Sequence, residues 1–386
     1  MLILAQTKFS GFLFKDKSIH FHQICPPHEC SASNIRKFFY NWMPPDLVLI
    51  FLFGIQIKKN DFYHHVYPQN VAILFHIAAM GKKRIVIPGA VHHSYQRTKP
   101  GKLIFYSARD AIVFYTIAMT FGEKFGIRHV GLCLMPDHIH QLTIPADVSV
   151  FSDYHARVTS VFVREFNADC GRSGALFDEA EPFGSAPKTK SKAVRTSIAY
   201  LANNAPERFL CERAEQYRWN FIAYSNDQHP FSKPIKLREA SFKLRNSLKI
   251  IDVCRSQGRY LRYGQIDGLF TGLVPEERDQ LIDYIIVKYC TIDFGYMLSF
   301  YRSYNDMLIA VNSNTGAEYD ISEERSHGSD AIYRDMCRIA VKSGMVTRPK
   351  DVIMLTMKDK MRLARRIYAA TGADMWHITR FLHLDA

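Results

Sequence analysis

The sequence has no Cys-x-x-Cys pair, no long unbroken apolar run and a shortage of acidic side chains. Its eight cysteines (Cys25, Cys30, Cys133, Cys170, Cys211, Cys254, Cys290 and Cys337) are scattered. That spacing excludes a paired-cysteine zinc module and fits a reducing compartment better than a disulfide scaffold. The longest apolar run, Leu47 to Ile57, is interrupted by Gly54 and Gln56 and is too short to cross a bilayer. The charged, apolar and small-residue order of a secretory leader is missing at the start. A cytoplasmic protein with no membrane partner is therefore expected.

The acidic shortage has a physical consequence. Lysine and arginine number 50 against 37 for aspartate and glutamate, a net charge of +13 with pI ≈ 9.3. A surplus of that size favours a polyanionic partner, nucleic acid first among them. With 386 residues, 47% hydrophobic and 23% charged, the chain is globular and long enough for two or three domains. Residues 1–79 stand apart, being rich in phenylalanine and histidine. The His20-Phe21-His22 to Cys30 cluster within them matches no zinc spacing and is read as incidental. Met80 looks like a natural beginning, so 1–79 is read as an atypical extension, a start assigned too far upstream.

The most informative stretch is Leu134-Met135-Pro136-Asp137-His138-Ile139-His140-Gln141-Leu142. Gly131 to Met135 reads as a buried strand, Met135-Pro136-Asp137 as a tight turn, and His138 to Ile144 as a second, alternating strand. Residues two apart on a strand share a face. His138 and His140 therefore project together, half of a divalent-metal site, while Ile139 faces the core. A bare His-x-His is more often a pair of packed strand histidines, so its setting has to decide.

Around this hairpin, Arg84 to His93 reads as a strand broken by Pro88-Gly89, Gln96 to Lys102 as a basic loop, and Ala108 to Phe125 as a helix. Val150 to Phe166 reads as a second amphipathic helix. Strand, helix, two strands and helix, with a further strand to come, is the ferredoxin-like split βαβ plan: an α+β domain with an antiparallel sheet. Gly174 to Pro187 reads as a loop leading into Lys188, Lys190, Lys192 and Arg195. A helix follows from about Ala193 to Asn203. Tyr200 and Asn204, four apart, share one face of it. Asn204 can offer a neutral oxygen as a third metal ligand, and Tyr200 carries a phenol towards the same place.

These pieces together resemble the HUH single-strand tyrosine transposases of the small insertion-sequence and REP-associated types. Leu134-Met135-Pro136-Asp137-His138-Ile139-His140 is close to that family's L-M-P-N-H-V-H. Gly174-Ala175-Leu176-Phe177, Tyr200-Leu201-Ala202-Asn203-Asn204 (Y-I-x-x-N), Leu210 to Arg213 and Glu215 to Trp219 follow in family order between about 80 and 231. Asp137 in place of asparagine, Gln141 in place of an apolar residue and Ala205-Pro206 are departures. The resemblance implies a DNA strand transferase in which Tyr200 is the nucleophile and His138, His140 and Asn204 hold Mg²⁺ or Mn²⁺. A 5′-phosphotyrosine would then be the intermediate. Single-stranded DNA and DNA hairpins are the implied partners, contacted by Lys188, Lys190, Lys192 and Arg195. Tyr217 and Trp219 could stack bases but are read first as core. A homodimer, with Tyr200 serving the other subunit's site, is left open.

Residues 232–312 read as helical and 313–329 as a polar linker. Residues 330–386 read as a helix-turn-helix-like DNA-binding region. In its first helix, Lys358 to Ala370, Met361, Ala364, Ile367 and Tyr368 are expected inward, with Lys360, Arg362, Arg365 and Arg366 open to phosphates. Thr371-Gly372-Ala373 is the turn. The second helix is expected to bury Met375, Ile378 and Leu382 and to expose Trp376, His377 and Arg380, the last a DNA contact. Two other readings stand beside the transposase. One is a catalytically inactive, domesticated transposase-derived protein that binds hairpin or REP-like DNA. The other, a phosphoesterase with an H-x-H strand, is disfavoured because Leu142 stands where a third alternating histidine would be.

Overall fold

A helix that is apolar on every side has to lie inside the protein, and Ala108–Phe125 (α1) is such a helix, buried continuously from Asp110 to Gly122. Asp110 Oδ2 starts it by accepting the backbone N–H groups of Tyr106 and Ser107 at 3.1 and 3.0 Å. Gly126, at φ 65°, ends it in the left-handed region that glycine tolerates. The computed structural model describes residues 85–98, 101–177, 183–313 and 329–384. The 1–79 extension with its histidine–cysteine cluster, and all but the ends of the 313–329 linker, lie outside them.

On one side of α1 is the sheet. Its strands are β1 (Val91–Arg97), β2 (Arg128–Leu134), β3 (His138–Ile144) and β4 (Gly184–Lys188), in spatial order β2-β3-β1-β4 with every neighbouring pair antiparallel. A second helix, α2 (Val148–Cys170), packs beside α1. The β-α-β-β-α-β order is the split βαβ plan of an α+β domain. Two strand expectations need correction. β1 runs from Val91 to Arg97 rather than from Arg84 to His93, because Gly89 (φ 77°) is a turn and the polar Gln96 and Arg97 pair with β3. Gly184 to Lys188 is a strand, not a loop: it lies at the sheet edge, where Pro187 is tolerated.

The two faces of the sheet bury different clusters. Ile139 joins Leu132, Leu134 and the apolar sides of α1 and α2. Leu142 and Cys133 join the opposite cluster with Val194, Ile198, Leu201, Ala202 and Ala205 of α3 (Ser191–Glu207). By strand alternation His138 and His140 lie on the Leu142 face, under α3.

α3 is longer than expected because it tolerates Pro206. A proline there frees the carbonyl four residues earlier, that of Ala202. Asn220 Nδ2 donates to that oxygen at 3.2 Å, and the helix continues one turn beyond Asn203.

The other side of α1 is covered by helices α4 (Phe242–Ser256), α5 (Tyr263–Phe270) and α6 (Pro275–Tyr289). Tyr115 of α1 donates to Ile286 O at 2.8 Å, and Tyr263 to Asp110 Oδ1 at 3.0 Å. Helices α7 (Phe294–Leu298) and α8 (Tyr304–Asn312) contribute Met297, Met307 and Val311 to the α3 cluster. Then come α9 (Ile332–Lys342), α10 (Met357–Thr371) and α11 (Met375–Leu382), whose Met336, Leu363, Ile367, Ile378 and Phe381 belong to the cluster built on α1.

The last two helices do form a helix pair around Gly372 (φ 65°), but their faces differ from expectation. In α10 the inward stripe is Lys360, Leu363, Ala364 and Ile367, while Met361 and Tyr368 are exposed. In α11 Met375 is exposed, and His377 and Arg380 are buried. Among the described residues no helix is long and apolar enough to cross a membrane.

Candidate active site

The register of β1 against β3 places Tyr95 opposite His140 and Arg97 opposite His138. All project from the α3 face. The His138 and His140 rings are 5.0 Å apart at 88°, and both residues are fully buried. Tyr95 packs between them, 5.6 Å from His138 and 5.0 Å from His140.

From above, α3 lowers Tyr200 onto this pair. Its ring lies 5.6 Å from that of His140 and 5.7 Å from that of His93. Asn204 is one turn further along the helix, 2% exposed, and its Nδ2 donates to Tyr200 O at 3.1 Å. That bond uses the amide nitrogen and leaves Oδ1 as the atom suited to a cation. The structure thus brings His138, His140 and Tyr200 together and sets Asn204 on the same helix turn system.

Each histidine of the pair is held through Nδ1. His140 Nδ1 is 3.0 Å from His93 Nε2. His138 Nδ1 is 2.5 Å from Asp137 Oδ1. An ionised carboxylate can only accept, so the proton is on His138 Nδ1 and, in the neutral ring, the lone pair is on Nε2. That Nε2 is buried with no hydrogen-bond partner among the described residues. An unsatisfied buried nitrogen is costly unless something binds it, and an imidazole lone pair suits a divalent metal. Among the described residues no three His, Cys, Asp or Glu side chains are grouped to hold an ion. A third protein ligand would therefore have to be of another type, such as the Asn204 oxygen.

Asp137 is 2% exposed, and burial alone would raise its pKa. His138, Arg97 and Arg208 outweigh burial and hold it well below the ordinary carboxylate range. Its Oδ2 lies 3.3 Å from Arg97 and 3.0 Å from Arg380. The sequence does not single out His93, Tyr95 or Asp137 as site residues, and Arg380, expected as an exposed DNA contact, is instead a buried partner of Asp137. His93 joins the site only because β1 pairs with β3, a neighbour relation that spacing along one strand does not give.

The basic residues divide. Lys190, Lys192 and Arg195 are exposed at the start of α3. Arg195 lies 4.9 Å over the Tyr301 ring and 3.9 Å from Asp306. Arg365 and Arg366 are exposed on α10. Lys188 is 4% exposed, because it ends β4 opposite Val91, and is not available to a phosphate. Arg380, 6% exposed and paired with Asp137, is not available either. Lys360 is likewise turned inward, its Nζ 3.4 Å from His383 O. Tyr217 donates to Leu134 O at 2.7 Å, and Trp219 packs 6.3 Å from the Phe221 ring.

No protein-family model and no curated protein matches the chain. Among solved structures it is similar to one described as a REP-associated tyrosine transposase bound to a REP hairpin. That match has 13% identity and covers 37% of this chain and 83% of the other, with a TM-score of 0.32. Superposition at that level carries no argument, and the functional reading rests on side-chain geometry and sequence motifs.

Proposed function

We propose that the protein is a metal-dependent HUH-type enzyme that cleaves and rejoins single-stranded DNA through a tyrosine intermediate. The reading is carried by one observation: α3 sets the Tyr200 ring 5.6 Å from His140, on the sheet face where His138 keeps a buried, unsatisfied Nε2. The motif order between residues 80 and 231 supports the same reading.

Mg²⁺ or Mn²⁺ on His138, His140 and the Asn204 oxygen would polarise the scissile phosphate, imidazole ligands favouring Mn²⁺ in affinity. The chain's own contribution is orientation. A phenol has pKa ~10 and is a weak nucleophile near neutrality, so it must be aimed in line with the bond it breaks. Tyr200 Oη attacks phosphorus as the P–O3′ bond breaks; the departing oxygen becomes a 3′-hydroxyl and the phenolic proton is lost. One phosphodiester replaces another, so a different 3′-hydroxyl can reverse the step, rejoin strands and restore the phenol. Lys190, Lys192 and Arg195 suit the incoming single strand, and Arg365 and Arg366 suit the phosphates of a hairpin.

A second reading, hairpin binding without cleavage, is favoured by the site's enclosure: Tyr200 is 5% exposed and both histidines are sealed. The deciding experiment incubates labelled single-stranded hairpins with Mn²⁺ or Mg²⁺ and runs a denaturing protein gel. A metal-dependent covalent band, absent in Tyr200→Phe, is the expected result. Retarded DNA on a native gel without any covalent band would move the assignment to the binding-only reading.

A further inference from the structure

The carboxylate that orients His138 is itself held from the far end of the chain. Arg380, on α11, reaches Asp137 Oδ2 with its Nη1 at 3.0 Å while Asp137 Oδ1 takes His138 Nδ1 at 2.5 Å. All three side chains are buried.

The reach of Arg380 is fixed rather than incidental. α11 is pinned to the segment before α1 by three bonds: Leu103 N–H to Arg380 O at 3.2 Å, Tyr106 hydroxyl to Phe381 O at 2.6 Å, and His383 Nε2 against Leu103 O at 2.7 Å. The guanidinium Cζ lies 3.4 Å from the centre of the Trp376 ring. It also passes directly over Gly101, where a Cβ would come within 2.5 Å of its Cζ. An ammonium could supply the charge but not the planar fork that fits this slot.

We infer that Arg380 is a positioning residue which, through Asp137, fixes the tautomer and ring orientation of His138 and so presents Nε2 to a metal. The metal part of this statement rests on the proposed function. With Oδ2 occupied by a guanidinium, only Oδ1 faces the ring, and the Nδ1–H form is selected. Arg97, whose side chain is 14% exposed, approaches the same oxygen from β1. It shares the neutralisation but comes from a strand beside the site, whereas Arg380 makes the site depend on the docking of residues 375–384. Partners of this kind, one bond behind a ligand, typically change metal affinity by about ten- to a hundredfold.

The test uses the full-length, metal-free protein labelled with ¹⁵N-histidine. Long-range ¹H–¹⁵N spectra read which His138 nitrogen carries the proton, and calorimetric titration with Mn²⁺ reads affinity. Wild type is expected to show His138 as a single Nδ1–H species. Arg380→Gln is expected to show mixed tautomers and an affinity lower by about tenfold or more, with Arg380→Lys recovering only part of it. Gly101→Ala blocks the guanidinium's path while keeping both charged groups, and Gly89→Ala, at φ 77° with open space around its Cβ, controls for the strain that alanine meets at φ 84°; the pair gives the same two readouts if Arg380→Gln does not fold. Wild-type tautomer and affinity in Arg380→Gln or Gly101→Ala would overturn the inference. If wild type itself binds no Mn²⁺, the metal reading falls, and the tautomer spectra still judge the role of Arg380.

Discussion

His129 shows how strongly single side chains are constrained beneath this sheet. Tyr154 donates its hydroxyl to Gln141 Oε1 at 2.8 Å, so His129 Nε2, 2.9 Å from the same hydroxyl, must be the donor in that pair. Burial lowers the His129 pKa from 6.5 to about 4. The sign of the consequence follows directly. An unfolded chain takes up the proton near pH 6.5 and the folded one only near 4, so acid favours unfolding throughout that window. The loss amounts to about 3 kcal/mol by pH 4. Urea midpoints between pH 7 and 4 should fall more steeply in wild type than in His129→Asn; equal slopes would show that His129 is not held neutral. Gln141 thus has a structural partner in Tyr154. The His138–His140 pair was legible because alternation on one strand is a local property. His93 and Asp137 were not, since their roles depend on which strand lies alongside and on an arginine 243 residues away.

Elements were legible where their signals were self-contained. α1 and β3 have the boundaries expected from apolar content and alternation, whereas β4 was hidden by a proline that only an edge position permits. The inward face of α10 is turned by about a residue from the expected one: Met361 and Leu363 are both apolar, and the neighbouring helices decide which is buried. α3 depends on a long-range rescue of the same sort. Asn220 bonds both Ala202 O, at 3.2 Å, and Ala214 O, at 2.6 Å. Asn220→Ala should leave the Ala202 carbonyl buried without its partner and cost about 1–3 kcal/mol. Because the weakened turn is the one carrying Asn204, the same variant should lower Mn²⁺ affinity more than a core substitution of equal cost elsewhere. Ala111→Gly, in α1, provides that comparison by chemical denaturation and calorimetry.

At the scale of the molecule, one hydrophobic cluster joins α1 and α2 to helices as distant as α11. A buried ionic knot lies within this joint. Lys350 is 2% exposed, with Nζ 3.1 Å from Asp110 and 2.9 Å from Asp169. The Phe166 and Tyr263 rings lie 3.9 and 3.8 Å from it. Arg109 and Arg348 complete the shell of Asp169, and against burial Arg109 and Lys350 hold its pKa down to about 2. Removing one member of such a group strands the rest, so Lys350→Met should destabilise the protein by about 3–5 kcal/mol, read from the shift of its urea transition. A change under about 1 kcal/mol would mean that the knot is dispensable. The bare backbone at Gly101 has a consequence of another kind. A side chain there and an arginine at 380 exclude each other in space, and without that arginine the carboxylate at 137 loses one of its two paired guanidiniums. Drifting descendants of this chain would therefore tend to change positions 101, 137 and 380 as a set, leaving in their sequences a linkage that no local motif records.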